Sequence, residues 1–295
     1  MRRTGFLIGV VLALVVAWPA SGATPSCGGE TPPPKLDGGQ WTCTFDDEFD
    51  ATTGDASSLD TSKWTAQTTA ASGFTQGYPY VACYVNSPNN ISVSDGALHL
   101  TVRKEDSPFN CAGLTTQYTS GMVSSTGHFS QTYGRFEVRA KLPDVTVPGL
   151  QETLWLWPDD ANRYGSWPAS GEIDFAEFYS QYYNLVVPYL HYDYDSSTTN
   201  SATNTNVVTN YCPIDISQYN DYALTWRPGT LEISVNGTQC LVDNYQPSNV
   251  SSPAPFDQPF FIALTQALGV GTNAYDPSST PLPATTSIDY VRVWK

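Results

Sequence analysis

Apolar residues come in short runs, mostly alternating with polar ones, and Gly, Pro, Asn and Ser break them at close intervals. Runs at 91–93, 97–102, 134–141, 153–157, 172–178, 222–226, 231–235, 260–264 and 288–294 read as strands. Asp95-Gly96, Pro228-Gly229 and Asn236-Gly237 fall between runs and predict tight reversals. No stripe repeats at 3.6 residues, and the stretch 214–222 has room for only one short turn of helix. Strands at such spacing predict an all-β sandwich or barrel. With no repeat and no second linker, residues 41–295 read as one domain.

The ends of the chain change the picture. Arg2 and Arg3 precede an apolar run at 6–18, and Ser21-Gly22-Ala23 offers small residues for cleavage. Residues 1–23 therefore read as a signal peptide, because the run falls short of the roughly 20 residues a membrane span needs. A secreted, extracellular protein is expected, with no membrane attachment after cleavage. Residues 24–40 are rich in Pro and Gly and read as a linker or N-terminal arm. All six cysteines follow Ala23, and an even count in an exported chain predicts three disulfides. Joining sequence neighbours gives Cys27–Cys43, Cys83–Cys111 and Cys212–Cys240, one of 15 pairings. The absence of any CxxC or Cys/His cluster argues against zinc.

The formal charge of −15 across 295 residues disfavours nucleic acid, anionic lipid and sulfated polysaccharide, and leaves a neutral partner. Aromatics are plentiful (18 Tyr, 12 Phe, 8 Trp) on a chain with 14% charged residues. Such a chain folds around a large core; its rings suit either that core or the stacking of sugars.

One segment carries candidate chemistry: Gly171-Glu172-Ile173-Asp174-Phe175-Ala176-Glu177-Phe178. Residues two apart share a face of a strand, so Glu172 and Asp174 point together. Glu177, five residues from Glu172, would face the other way on a regular strand. One extra residue at Phe175-Ala176, a β-bulge, would restore its phase. The Cα atoms of the two glutamates would then lie about 13 Å apart. Long side chains leaning together can bring such carboxyls to the ~5–5.5 Å that retaining glycosidases use. Asp174 between them would add a charge that helps keep the acid protonated. A solvated acidic face or a calcium loop would also place three acids here. The flanking Trp155, Trp157, Trp167, Phe175, Phe178 and Tyr179 weigh against the former, and the strand-like Ile-x-Phe-Ala pattern against the latter.

Here the chain resembles glycoside hydrolase family 16, and most closely its bacterial β-1,3-glucanases. The resemblance rests on Trp167-Pro168-Ala169-Ser170-Gly171-Glu172-Ile173-Asp174-Phe175-Ala176-Glu177, and extends to residues 45–49, 90–98, 133–143 and 289–294. It implies a β-jelly-roll sandwich of two antiparallel sheets with a concave substrate groove. Glu172 would be the nucleophile, Glu177 the general acid/base and Asp174 an auxiliary acid. Trp155, Trp167, His191 and Asn90 match groove positions that touch substrate. Trp157 has no counterpart, a core histidine is an equal reading of His191, and a turn residue is another reading of Asn90. Asp289 matches a position that ligates a structural calcium in several relatives, and an ordinary strand-end Asp fits it as well. The implied protein is a monomeric, secreted endo-glycosidase hydrolysing β-1,3-glucan, or mixed β-1,3-1,4-glucan, by double displacement. It needs no cofactor, since side chains supply both the proton and the attack. A β-glucan transglycosylase and a non-hydrolytic β-glucan-binding protein are the alternatives. Two departures from the family are Glu152, just before the tryptophan strand, and the late run Leu264-Thr265-Gln266-Ala267-Leu268-Gly269-Val270-Gly271, where relatives read Leu-Asn-Leu-Ala-Val-Gly-Gly and a groove-facing polar residue is expected to differ.

Overall fold

All nine predicted runs lie within strands, and the three turn dipeptides each join two of them. At Asp95-Gly96 and Asn236-Gly237 both residues have positive φ, the geometry a two-residue hairpin turn of type I′ requires. The structure is a computed structural model that describes residues 26–50, 59–74, 80–193 and 208–295. The expected signal peptide lies outside the described residues.

The strands form two stacked sheets. One, of seven strands, runs in the order Cys212–Pro213, Leu185–His191, Glu172–Tyr179, Leu150–Pro158, Phe260–Leu268, Met122–Ser124 and Thr65–Ala66. The other, of ten strands, is centred on Asn220–Arg227, Gly134–Lys141, Ala284–Trp294 and Ala97–Cys111. Neighbours in space are seldom neighbours in sequence, the crossing pattern of a jelly roll. Strict alternation decides which side chains enter the core. In Gly134–Lys141 every second residue is buried, so Phe136, Val138 and Ala140 point inward while Arg135, Glu137 and Arg139 point out. Facing them from the seven-stranded sheet are Leu154, Leu156, Ile173, Phe175 and Phe178.

Three details depart from the sequence reading. The pairing is not wholly antiparallel, because Ala82–Tyr84 runs parallel to Leu114–Ser120. The stretch 214–222 forms no helix. Asp215 instead accepts hydrogen bonds from the Ser217 N–H and hydroxyl, a local turn that competes with helix. The only α-helix among the described residues is the four-residue Thr69–Ser72.

Residues 26–40 are held against the domain as an arm and do not behave as a free linker. Cys27 is fully buried, the Gly28 N–H donates to Asp46, and the Trp41 indole N–H donates to the Pro33 carbonyl. The disulfides are Cys27–Cys43, Cys83–Cys111 and Cys212–Cys240, the pairing of sequence neighbours. Cys27–Cys43 closes a loop of 16 residues, and such a loop restricts the unfolded chain by about 3 kcal/mol. Replacing both cysteines with Ser is expected to lower the urea midpoint by a corresponding amount. An unchanged midpoint would show that the arm's other contacts hold it without the bond.

Candidate active site

The strand Glu172–Tyr179 is bulged where its phase demands. Against Leu185–His191 its register shifts between Asp174 and Glu177, and against Leu150–Pro158 between Asp174 and Ala176. Phe175 and Ala176 both turn into the core. Glu172, Asp174 and Glu177 then line one groove on the outer face of the seven-stranded sheet, together with Gln151, Thr153, Trp155, Trp157 and Thr265. Gly171 permits the entry into this strand. Its φ of +88° is one that L side chains rarely adopt, and a Cβ there would come within 2.9 Å of the Phe256 ring.

Each acid has a distinct environment. Glu172 accepts a 2.6 Å hydrogen bond from the Trp167 indole N–H. Trp167 itself is half exposed and rests its ring against His191. Asp174 is 2% exposed; its Oδ2 lies 3.2 Å from His191 Nε2 and its Oδ1 has no hydrogen-bond partner. Glu177 receives the Tyr179 hydroxyl on Oε2 at 2.7 Å and the Gln151 amide on Oε1 at 3.4 Å.

Burial dominates the electrostatics, since taking a carboxylate out of water favours its neutral form. It pushes Glu172 up to about 8, helped by the charge of Asp174 and opposed by His191 and Trp167. Burial also lifts Asp174 well above the usual carboxylate range, with Glu177 adding repulsion. Glu177 rises for the same first reason, opposed by Tyr179, His191 and Gln151. His191 is pushed down by burial, against the pull of Glu172 and Glu177. This corrects the expectation that Asp174 is a standing negative charge. As the deepest of the three groove acids, with one oxygen unpartnered, it is the natural holder of a proton, and a neutral Asp174 no longer repels Glu172. Glu172 is then free to ionise with the Trp167 N–H on its oxygen.

The other expected residues separate. Trp155 lies in the groove, 7% exposed, its N–H donated to Thr265 at 2.9 Å and its ring edge-on to Phe74 and Trp157. Trp157 shares that aromatic wall. His191 stacks on Tyr189 and borders the acids. Asn90 is elsewhere: it is buried, and its amide is spent on the Thr101 carbonyl and the Thr119 hydroxyl, so it braces a hairpin and does not line the groove. Asp289 also departs from its expected role. Arg139 pairs with it at 3.0 Å, and a guanidinium held at that carboxylate does not fit a calcium ligand set. Glu152 and Gln266 point between the sheets and not into the groove. Gln266 donates to Glu152 and receives the Thr286 hydroxyl. Sequence reasoning had no role for Gln151 or Thr153, and marked Thr265 only as part of the departing run 264–271, where the structure does put a groove-facing polar residue. The first two fall at alternate positions before Trp155, the parity that would have found them. A larger cavity lies between the arm and the outer face of the ten-stranded sheet, lined by Pro33, Leu36, Trp41, Arg135 and Arg227, on the side away from the acids.

Comparison with known proteins agrees with this geometry. The model of glycosyl hydrolases family 16 matches residues 77–291. Glucan endo-1,3-beta-glucosidase A1 of Niallia circulans is 31% identical over 85% of this chain and 37% of its own length. Keratan-sulfate endo-1,4-beta-galactosidase of Sphingobacterium multivorum is 32% identical over 85% of this chain and 54% of its own. The chain thus spans only about a third to a half of these two relatives. The laminarinase structure from Rhodothermus marinus superposes with a TM-score of 0.68 at 27% identity, covering 87% of this chain and 98% of that one. A bulged acid strand within the matched span, on the shared two-sheet fold, places this chain among the glycosyl hydrolases of family 16, to which it belongs.

Proposed function

We propose that this chain is a secreted endo-β-1,3-glucanase that acts with retention of configuration. The observation that carries the reading is the bulge between Asp174 and Glu177, which turns two glutamates with different surroundings toward one groove. In the first step the Glu177 proton passes to the glycosidic oxygen, the C1–O bond breaks and Glu172 bonds to C1. In the second, a water gives its proton to Glu177, bonds C1 and releases Glu172. His191 and Asp174 sit beside Glu172 and keep it from sharing its charge with a second ionised acid. Trp155, Trp157 and Trp167 offer indole surfaces for pyranose rings.

The substrate class follows from charge. The groove is lined by three acids and, among the described residues, by no Lys or Arg, so a sulfated chain such as keratan sulfate would meet repulsion without a counter-charge. A neutral glucan meets none. The names of the Niallia and Rhodothermus relatives support the β-1,3 linkage.

Reducing ends should therefore appear from laminarin, more slowly from lichenan and not from keratan sulfate. Proton NMR of the first laminarin products should show the β-anomer before mutarotation. No product from either glucan, or α-anomer first, would overturn the reading.

A further inference from the structure

Glu177 is pinned from behind by two side chains, one on its own strand and one on the adjacent strand. Tyr179 lies two residues along the same strand, so the bulge that brings Glu177 to the groove brings the phenol with it. Gln151 stands opposite Tyr179 in the register of the adjacent strand, with Thr153 opposite Glu177. The two therefore flank Glu177 on the side away from Glu172, one donating to each of its oxygens. The contacts are unequal: 2.7 Å from the Tyr179 hydroxyl to Oε2, and 3.4 Å from the Gln151 amide to Oε1.

We propose that Tyr179 and Gln151 are positioning residues: Tyr179 anchors Glu177 at Oε2, and Gln151 steadies Oε1 through a longer contact, so that Oε1 is the oxygen exchanging a proton with the glycosidic oxygen and then with water. The assignment rests on the reading of Glu177 as the acid/base. Its chemistry is that of hydrogen-bond capacity. A phenol donating to Oε2 favours the carboxyl proton on Oε1, and the longer contact there yields readily to substrate. Burial and the neighbouring Glu177 charge push the Tyr179 hydroxyl far up, so it remains a donor throughout the working range. A donor to the ionised form also favours that form, as the Tyr179 and Gln151 contacts do for Glu177. The other titratable groups facing Glu177 are Glu172 and Asp174 on its own strand and Tyr189 and His191 on the next. Glu172, Asp174 and His191 make no described hydrogen bond to it.

The test uses Tyr179→Phe, which keeps the ring and removes the donor, and Gln151→Leu as a second variant on the other oxygen. Two substrates separate the step: laminarin, whose leaving sugar needs a proton, and a dinitrophenyl β-laminaribioside, whose leaving group does not. For Tyr179→Phe, kcat/KM on laminarin should fall about tenfold or more, and on the aryl glycoside less than about twofold. The basic limb of its laminarin profile should move to higher pH. Gln151→Leu should show the same selectivity with a smaller loss. Equal losses on both substrates with an unmoved limb would overturn the proposal. Glu177→Ala provides the control. If it spares the aryl glycoside and loses laminarin, Glu177 is the acid/base and any failure belongs to the positioning residues alone. If it loses both substrates equally, the underlying reading has failed.

Discussion

Replacing Glu172 with Ala is expected to reduce laminarin turnover by about four orders of magnitude or more, because the covalent step loses its only attacking group. Adding azide with an activated aryl β-laminaribioside should restore turnover and yield an α-configured glycosyl azide. The configuration follows from position. On the proposed reading Glu172 and Glu177 address the scissile bond from opposite sides, so an anion filling the space left by the carboxylate attacks from the face opposite the leaving group. The fold should survive the change, because Glu172 faces the groove and its hydrogen bond goes to the half-exposed Trp167. Loss of a carboxyl that burial holds above its ordinary range also removes a charge that is costly to maintain. The melting temperature should therefore stay level or rise. A β-configured azide would show that the roles of Glu172 and Glu177 are exchanged. Residual turnover above about a hundredth of the parent would show that neither assignment is right.

Much of this site is written in strand parity. Glu172 and Asp174 fall two apart and Glu177 falls out of phase, so a bulge is the one local device that unites them, and it occurs at Phe175-Ala176. The same parity, continued past the bulge, puts Tyr179 on the groove face. Run backward from Trp155, it puts Thr153 and Gln151 there too. Cross-strand register is different, because nothing along one strand says which residue of another stands opposite. That Gln151 meets Tyr179 needed the three-dimensional pairing. Asn90 shows the converse failure. Its match to a groove position is real in sequence, yet two local acceptors, the Thr101 carbonyl and the Thr119 hydroxyl, capture its amide first. Asp289 is misread for a related reason: its partner, Arg139, comes from a strand 150 residues earlier in the chain. The arm at 26–40 looks like a linker from composition alone, whereas Cys27, a single residue within it, decides that it is packed.

Stability is expected to fall as pH rises from about 5 to 8, and Glu152→Gln is expected to remove a defined share of that fall. Glu152 is 1% exposed between the sheets; Gln266 donates to one of its oxygens while the other, Oε2, has no hydrogen-bond partner. Burial lifts it well above the ordinary carboxylate range, only partly offset by Gln266. In the unfolded chain Glu152 ionises near 4.5, whereas in the fold burial holds its proton on to higher pH. Above that pH the native state binds one more proton than the unfolded state, and stability declines by about 1.4 kcal/mol per pH unit for each such group. Its contribution is thus complete below the unfolded value and is lost progressively toward the folded one. Asp243, held up to about 6 by burial with the Tyr192 hydroxyl as its opposing donor, adds a share confined to the lower part of that range. Gln at position 152 has nearly the shape of the protonated acid, offers an oxygen to Gln266 and cannot ionise. Urea unfolding at pH 5, 6, 7 and 8 should therefore show parent and variant closest together at pH 5, with the variant pulling progressively ahead as pH rises. A gap that does not change with pH would mean that Glu152 carries its charge in the fold, and that a donor beyond Gln266 reaches Oε2.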